Sequence, residues 1–306
     1  MLRPISTLRL SEMAMENLRR NGYLYLEDIL DNPESHKFLE AKELDIIKHV
    51  PKTVTALQRL QKESQRDTIT TDSQCLNDIL DGGFHCGTMI ELCGVPGSGK
   101  TQICFQLCIA AQLSKSYGHL NGKVIYIDTR NEFSPLRIRD LIRGYKKRHK
   151  NLKLDEKQML DNIAVLTPSN SDELFDIVVS LRKDLMNHPG VQVVIVDSLS
   201  LPIQYSSDSW HRTKCYFYTL KYLRELSLIN IAVIVTTEMV NQVDNQGKDF
   251  CLSSAGGQIT AHRMHKRLML ARINDSKFVA RSLKSPLMPQ VSIFFQITTN
   301  GIRDCT

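Results

Sequence analysis

Residues 88–101 read Thr-Met-Ile-Glu-Leu-Cys-Gly-Val-Pro-Gly-Ser-Gly-Lys-Thr. The apolar stretch Met89 to Cys93 is expected to be a strand, and a helix is expected to start near Lys100. Between them Gly94-Val95-Pro96-Gly97-Ser98-Gly99-Lys100-Thr101 has the G-x-x-x-x-G-K-T spacing of a phosphate-binding loop. Glycines let the backbone curl until successive N–H groups converge on a polyphosphate. The helix start adds the positive end of its dipole. Lys100 has the reach for β- and γ-phosphates, the Thr101 hydroxyl is a Mg²⁺ ligand, and Gln102 completes the ATP-binding set. A chance glycine-rich turn would lack the flanking strand and helix.

A second acidic position belongs with this loop. Val193-Val194-Ile195-Val196-Asp197 is an apolar run ending in a carboxylate. An acid at a strand end downstream of a phosphate loop holds Mg²⁺ with the loop hydroxyl, so Thr101 and Asp197 form the expected metal pair. The strand Val124 to Asp128 ends beside the same place. Glu132, four residues on, is the nearest carboxylate that could orient an attacking water; its other reading is a surface turn residue.

After the loop, strand and helix patterns alternate. Strands are expected at 124–128, 163–166, 191–196 and 231–236, with helices at 100–116, 135–147, 172–186 and 210–227. That alternation predicts an α/β fold with a mostly parallel sheet covered on both faces. The first of these helices reads as amphipathic, with Ile103, Leu107 and Ala111 inward. From Lys266 the pattern changes to three consecutive strands, 266–272, 277–283 and 291–297, an antiparallel C-terminal extension. Two long polar stretches, 198–210 and 239–257, read as loops at strand ends, where α/β proteins keep their binding groups.

The first 52 residues read differently. Ser11 caps a helix to Asn21, a second runs from Leu24 to Leu30, and a third from Ser35 to Val50 is closed by Pro51. The expected organisation is a small helical N-terminal domain at 1–52, a linker at 53–68 and an ATP-binding core at 69–306. No apolar run approaches the 18 residues of a membrane span, and residues 1–13 lack a signal-peptide stretch. The eight cysteines include no C-x-x-C pair, which argues against a metal or disulfide framework and for a reducing compartment. Cys104 and Cys108, one helical turn apart, read as core.

Charge is unevenly distributed. Ten Lys/Arg face four Asp/Glu between Arg130 and Lys157, an excess equal to the net charge of the whole chain, +6. Such a run attracts phosphate backbones or serves as an import signal; a solvated helix face is the plain alternative.

The segments GVPGSGKTQ, YIDT, VIVDS, GGQITAHR at 256–263 and KSP…FQITTNGIRD at the end resemble the eukaryotic and archaeal RecA-like recombinases. The resemblance covers about 69–306, and the tail is most similar to the C-type paralogue. It implies a RecA-like P-loop core with ATP and Mg²⁺ as cofactors. It also implies a nuclear protein of homologous recombination repair of double-strand breaks and of meiosis. The implied partners are DNA, single-stranded or branched, sister paralogues and the main recombinase in a hetero-oligomer, with no membrane. Arg212, Lys214, Arg263 and Lys266 are the candidate DNA contacts. Lys284 lies where the family places a cap over a neighbouring subunit's nucleotide.

Three departures qualify what is implied. Arg130 stands where the family has its water-activating glutamate. Thr237-Glu238 replaces an Asn-Gln pair whose amide senses the γ-phosphate. The linker 53–68 has no Phe for the family's inter-subunit tether. Arg130, Glu238 and Lys284 are therefore candidates for γ-phosphate or interface contacts, and weak or absent hydrolysis is expected. An active DNA-dependent strand-exchange recombinase, a scaffold using ATP only structurally, and a small-molecule kinase are the alternatives.

Overall fold

The computed structural model describes residues 3–8, 10–49, 54–113, 122–150, 154–187, 190–205, 208–243 and 250–305. The chain divides into two compact units, Met1–Gln65 and Arg66–Thr306.

Among its described residues the first unit contains four helices, α1 (Glu12–Arg20), α2 (Leu26–Asp31), α3 (Ala41–His49) and α4 (Ala56–Ser64), and two short 3-10 turns. Ser11 caps α1 as expected, its hydroxyl accepting from Ala14 N. Leu8, Leu10, Leu18, Leu26, Ile29 and Ile47 form its core. The single helix expected from Ser35 to Val50 is instead a 3-10 turn over Pro33–Phe38 followed by α3, with Leu39 extended between them. The cause is Glu43, whose buried carboxylate accepts from both Glu40 N and Ser11 N and so starts a new helix at Ala41. Backbone hydrogen bonds pull its pKa down against the opposing effect of burial, which is the largest single influence on it. Val50 and Pro51, expected to end this helix, lie outside the described residues.

The second unit begins with β1 (Thr68–Ile69), α5 (Gln74–Asp78) and β2 (Phe84–His85), followed by β3 (Met89–Gly94) and α6 (Lys100–Ala110). Then come β4 (Lys123–Asp128), α7 (Pro135–Arg148), α8 (Glu156–Asp161), β5 (Ile163–Leu166), α9 (Ser171–Asn187), β6 (Val191–Asp197), α10 (Ser200–Gln204) and α11 (Ser209–Leu228). The chain ends with β7 (Ala232–Val243), β8 (Phe250–Ser254), α12 (Gly257–Arg263), β9 (Lys266–Arg272), β10 (Lys277–Lys284), β11 (Ser292–Thr298) and β12 (Gly301–Asp304).

One large sheet runs β12-β11-β10-β9-β3-β7-β6-β4-β5, and β8 pairs with β7 off this path. The pairs from β9 through β5 are parallel and those from β10 to β12 antiparallel. The expected α/β core with its antiparallel extension is present, with the change of direction falling between β9 and β10 rather than before β9. Asn274 turns that corner by accepting from Ser276 N and Lys277 N.

Three local expectations change. α6 is not amphipathic: its residues from Ile103 to Ala110 are all buried, because α7 and the tail strand β12 cover the side that faces away from β3 and β6. The stretch 198–210 contains α10, started by Ser198 Oγ accepting from Leu201 N. Residues 239–243 extend β7 and pair with β8 instead of looping; Asp244, Lys248 and Asp249 lie outside the described residues, as do 114–116 of the first core helix and Lys153. No helix among the described residues is long and apolar enough to cross a membrane.

Candidate functional site

β3 delivers the chain to the phosphate-binding loop from inside the sheet, buried along its whole length. Gly97 and Gly99 take left-handed backbone (φ +78° and +94°), which a side chain would resist, and a Cβ at Gly99 would lie 2.7 Å from Ile297 Cδ1. Lys100 then opens α6. Its ammonium is buried and donates to Gly94 O at 2.8 Å and Val95 O at 3.1 Å. Burial lowers its pKa, while Glu238 and Asp197 counter that shift.

Asp197, at the end of β6, is fixed by three hydroxyls. Thr101 Oγ1 (2.8 Å) and Tyr126 OH (2.7 Å) donate to Oδ2, and Thr236 Oγ1 (2.5 Å) donates to Oδ1. Burial first, and then the charge of Asp197, hold the Tyr126 pKa far above that of an ordinary phenol, so the hydroxyl remains a donor. The expected Thr101–Asp197 metal pair is thus in direct contact, but Tyr126 and Thr236 were not legible as supports.

A cleft of about 640 Å³ opens above the loop. Residues 96–102, Arg130, Glu132, Arg137 and Asp197 bound it, with Phe278 and Ile297 as its apolar wall. Ser98 Oγ is buried beside the loop without a hydrogen-bond partner among the described residues. Curled glycine backbone, an orphaned hydroxyl, a buried lysine and a threonine–aspartate pair are the donor set a nucleoside triphosphate with Mg²⁺ needs. Gly94 to Gln102 would hold the phosphates, and Thr101 with Asp197 the metal. When bound, Mg²⁺ supplies charge neutralisation at the phosphate oxygens.

The turn after β4 shapes the rim. Asp128 accepts from Arg130 N and Phe133 N, folding residues 129–133 back over the cleft. Arg130 places both Nη groups on Glu238 Oε1, at 2.8 and 2.6 Å. Glu132 is 62% exposed, and its nearest cation is Arg130 Nε at 3.9 Å. Arg137, counted in the sequence as part of a surface patch, belongs to the cleft: Nε donates to Gln102 Oε1 (2.8 Å), and Nη1 and Nη2 to the carbonyls of Thr299 and Thr298. It ties the loop helix to the tail. Its only sequence signal was the Ser134-Pro135 helix start that fixes its register.

A family model described as Rad51 matches residues 62–305. This chain belongs to the Rad51 family. It is similar to "DNA repair and recombination protein RadA" of Metallosphaera sedula, 32% identical over 255 residues, 82% of this chain and 76% of that one. It is also similar to "DNA repair protein RAD51 homolog 1" of Arabidopsis thaliana, 28% identical over 326 aligned positions, 99% of this chain and 92% of that one. The RecA-like core expected from the motifs is therefore established.

In this Rad51-family chain the remaining candidates separate. Arg212 and Lys214 lie on α11 and Arg263 ends α12, which packs against it. Lys214 Nζ sits 4.8 Å from the Trp210 ring centre and the Arg263 guanidinium 4.2 Å from that of Phe217. Trp210, Phe217 and Tyr218 are exposed, so this face interleaves aromatic and basic groups. Arg212 borders a smaller cleft of about 270 Å³ with Tyr216 and Gly256.

Lys266 is a correction: it is 4% exposed and its ammonium donates to Leu80 O, so it has no face for DNA. Lys284 donates to the carbonyls of Ala261 and His262 at the end of α12, outside the cleft. Within the basic run, Arg130 and Arg137 serve the cleft and Arg139 and Arg143 approach Glu156 at 3.9 and 3.7 Å. Lys147, Arg148 and Lys150 are exposed. Cys104 and Cys108 are buried free thiols; burial foremost, with the charge of Asp197, raises their pKa, consistent with core packing. Among the described residues no His/Cys/Asp/Glu cluster could hold a metal by itself.

Proposed function

We propose that this chain is an ATP-binding, DNA-associated recombination and repair protein. It acts as a nuclear mediator in double-strand-break repair and meiosis, in complexes with sister paralogues and the main recombinase. Within the family it is a C-type paralogue with weak or absent hydrolysis of its own. The small helical segment 1–52 serves partner packing, and 53–68 is the linker to the core.

The observation that carries this reading is the pairing of Arg130 with Glu238 at the rim of a complete phosphate-binding cleft. A guanidinium cannot accept a proton at physiological pH, so the position next to Thr129 offers binding without a base. Lys100, Thr101 and Asp197 keep the phosphate and metal groups of a working site. The aromatic-basic face of α11 supports DNA association, because stacking and charge together suit unpaired strands.

The test is calorimetry with MgATP on wild type and Lys100→Ala, and recovery of the partner complex with and without ATP. Losing a charge-assisted contact worth roughly 1.5–3 kcal/mol is expected to weaken ATP binding about ten- to a hundred-fold. Complex recovery is expected to fall in parallel. Unchanged affinity would remove Lys100 from the site. A complex indifferent to Lys100→Ala would favour a scaffold, and vigorous DNA-stimulated turnover with filaments would favour an active recombinase.

A further inference from the structure

Behind Arg130, which lines the nucleotide cleft, stands an anion. Glu238 stands on β7 directly beside Gly94, the first residue of the phosphate-binding loop, in the parallel register of β3 and β7. Its backbone is held on both sides: Glu238 N donates to Ser200 Oγ at 3.1 Å, and Glu238 O accepts from Ala255 N at 2.8 Å. The carboxylate can change rotamer but cannot leave the rim. It is 18% exposed, and both Nη groups of Arg130 converge on one of its oxygens.

Arg130 lines the cleft while Glu238 holds it from behind. A second cation of the site, Lys100, feels the same carboxylate, which is the strongest charge opposing the effect of its burial. One carboxylate therefore draws on two of the three cations that line the cleft. A diphosphate, ending at the loop, asks little of Arg130. A third phosphate carries its charge toward the Arg130–Glu238 pair, where the guanidinium attracts it and the carboxylate repels it.

We propose that Glu238 is the residue that sets how strongly this site prefers a nucleoside triphosphate over a diphosphate, by holding Arg130 in competition with the terminal phosphate. This rests on the ATP-binding reading above. The pair acts as a built-in counterweight: it lowers triphosphate affinity while leaving diphosphate affinity nearly untouched. Full engagement of the third phosphate requires Arg130 to turn from Glu238 into the cleft.

The experiment measures binding, without turnover, of Mg²⁺ with ADP and with a non-hydrolysable ATP analogue to the full chain. Wild type, Glu238→Gln and Arg130→Gln are compared, each checked by thermal melting. Glu238→Gln keeps shape and the backbone bonds while removing the charge. It is expected to raise triphosphate affinity about ten- to a hundred-fold, the size of a released charge-assisted contact, with ADP affinity changed less than about threefold. Arg130→Gln is expected to lower the triphosphate-to-diphosphate ratio below wild type. If Glu238→Gln moves both nucleotides equally, or neither, the proposal is overturned while the binding site stands. If wild type binds neither nucleotide, the ATP-binding reading fails and the proposal with it.

Discussion

Arg130 and Glu238, 108 residues apart in sequence, meet at 2.6 Å across the end of β6, which lies between the strands that present them. By the resemblance, each stands where the family pattern has a different group: Arg130 at the water-activating glutamate, Glu238 at the γ-phosphate-sensing glutamine. Read separately, they are two losses. Read together, they are one exchange, in which a cation gained on one strand answers an anion gained on another. The pair is only partly buried, so its worth lies less in stability than in fixing what faces the third phosphate.

Restoring the glutamate alone should restore hydrolysis only in part. Arg130→Glu would set two carboxylates side by side, one of which would protonate or swing away. The double variant Arg130→Glu/Glu238→Gln removes that conflict and rebuilds both family groups. A positioned base contributes about 10²–10⁴-fold. The double variant is expected to gain single-turnover hydrolysis in that range over a slow wild type, with Arg130→Glu in between. Glu132→Gln is expected to leave the slow rate unchanged, since its exposed carboxylate is drawn toward Arg130. Robust wild-type hydrolysis lost in Glu132→Gln would move the base to Glu132.

What the sequence made legible was what is local. The phosphate loop and Asp197 each sit at the end of an apolar run, and the tail strands follow the turn at Asn274. Groups that meet through the fold were not legible. The burial of α6 depends on β12, some 200 residues later. Lys266 was read with its basic neighbours, yet it shares the strand phase of Leu268 and Leu270, both buried. Glu91 lies inside the stretch Met89 to Cys93, which was read only as apolar. In a parallel strand covered on both faces, no side chain escapes burial, so its charge had to have a partner.

That partner gives a stability prediction. Glu91 is fully buried, its carboxylate accepting from Thr237 Oγ1 at 2.6 Å and from Arg267 Nε, while Arg267 Nη2 also reaches Ser254 Oγ. Arg267→Met leaves that carboxylate without its cation in the middle of the sheet. The expected loss is about 3–5 kcal/mol in urea unfolding. Adding Glu91→Gln should recover part of it, because a neutral amide needs no counter-charge. A loss below about 1 kcal/mol would mean that the pair is solvated in solution.

Lys266 gives a pH prediction. Burial pushes its pKa down from 10.5 to about 8. Below pH 8 both folded and unfolded states carry the proton, and the cost of the buried charge is fully present. Between about pH 8 and 10.5 the unfolded state binds more protons, so this residue's contribution to stability rises with pH. The whole window amounts to about 3 kcal/mol. The stability difference between wild type and Lys266→Met is expected to shift toward wild type by about 2 kcal/mol from pH 7.5 to 10. A constant difference would mean that the ammonium reaches water.

The last prediction separates the two basic surfaces that remain. On α11 and α12, Lys214 and Arg263 stand against the exposed rings of Trp210 and Phe217, and Arg212 borders the small cleft beside them, an arrangement suited to unpaired bases and their phosphates. At the end of α7, Lys147, Arg148 and Lys150 are exposed without such rings, and they also lie at the negative end of that helix, where cations are favoured with no ligand at all. Each phosphate contact adds about −0.7 to the salt slope on single strands. Neutralising Arg212, Lys214 and Arg263 together is therefore expected to flatten the single-strand slope by about 2. Trp210→Ala should weaken binding by roughly five- to a hundred-fold, the worth of one stacked base, while leaving the slope where it was. Neutralising Lys147, Arg148 and Lys150 should change neither. If the α7 variant flattens the slope and the α11 variant does not, DNA runs along α7, and the aromatic face of α11 is left for a protein partner.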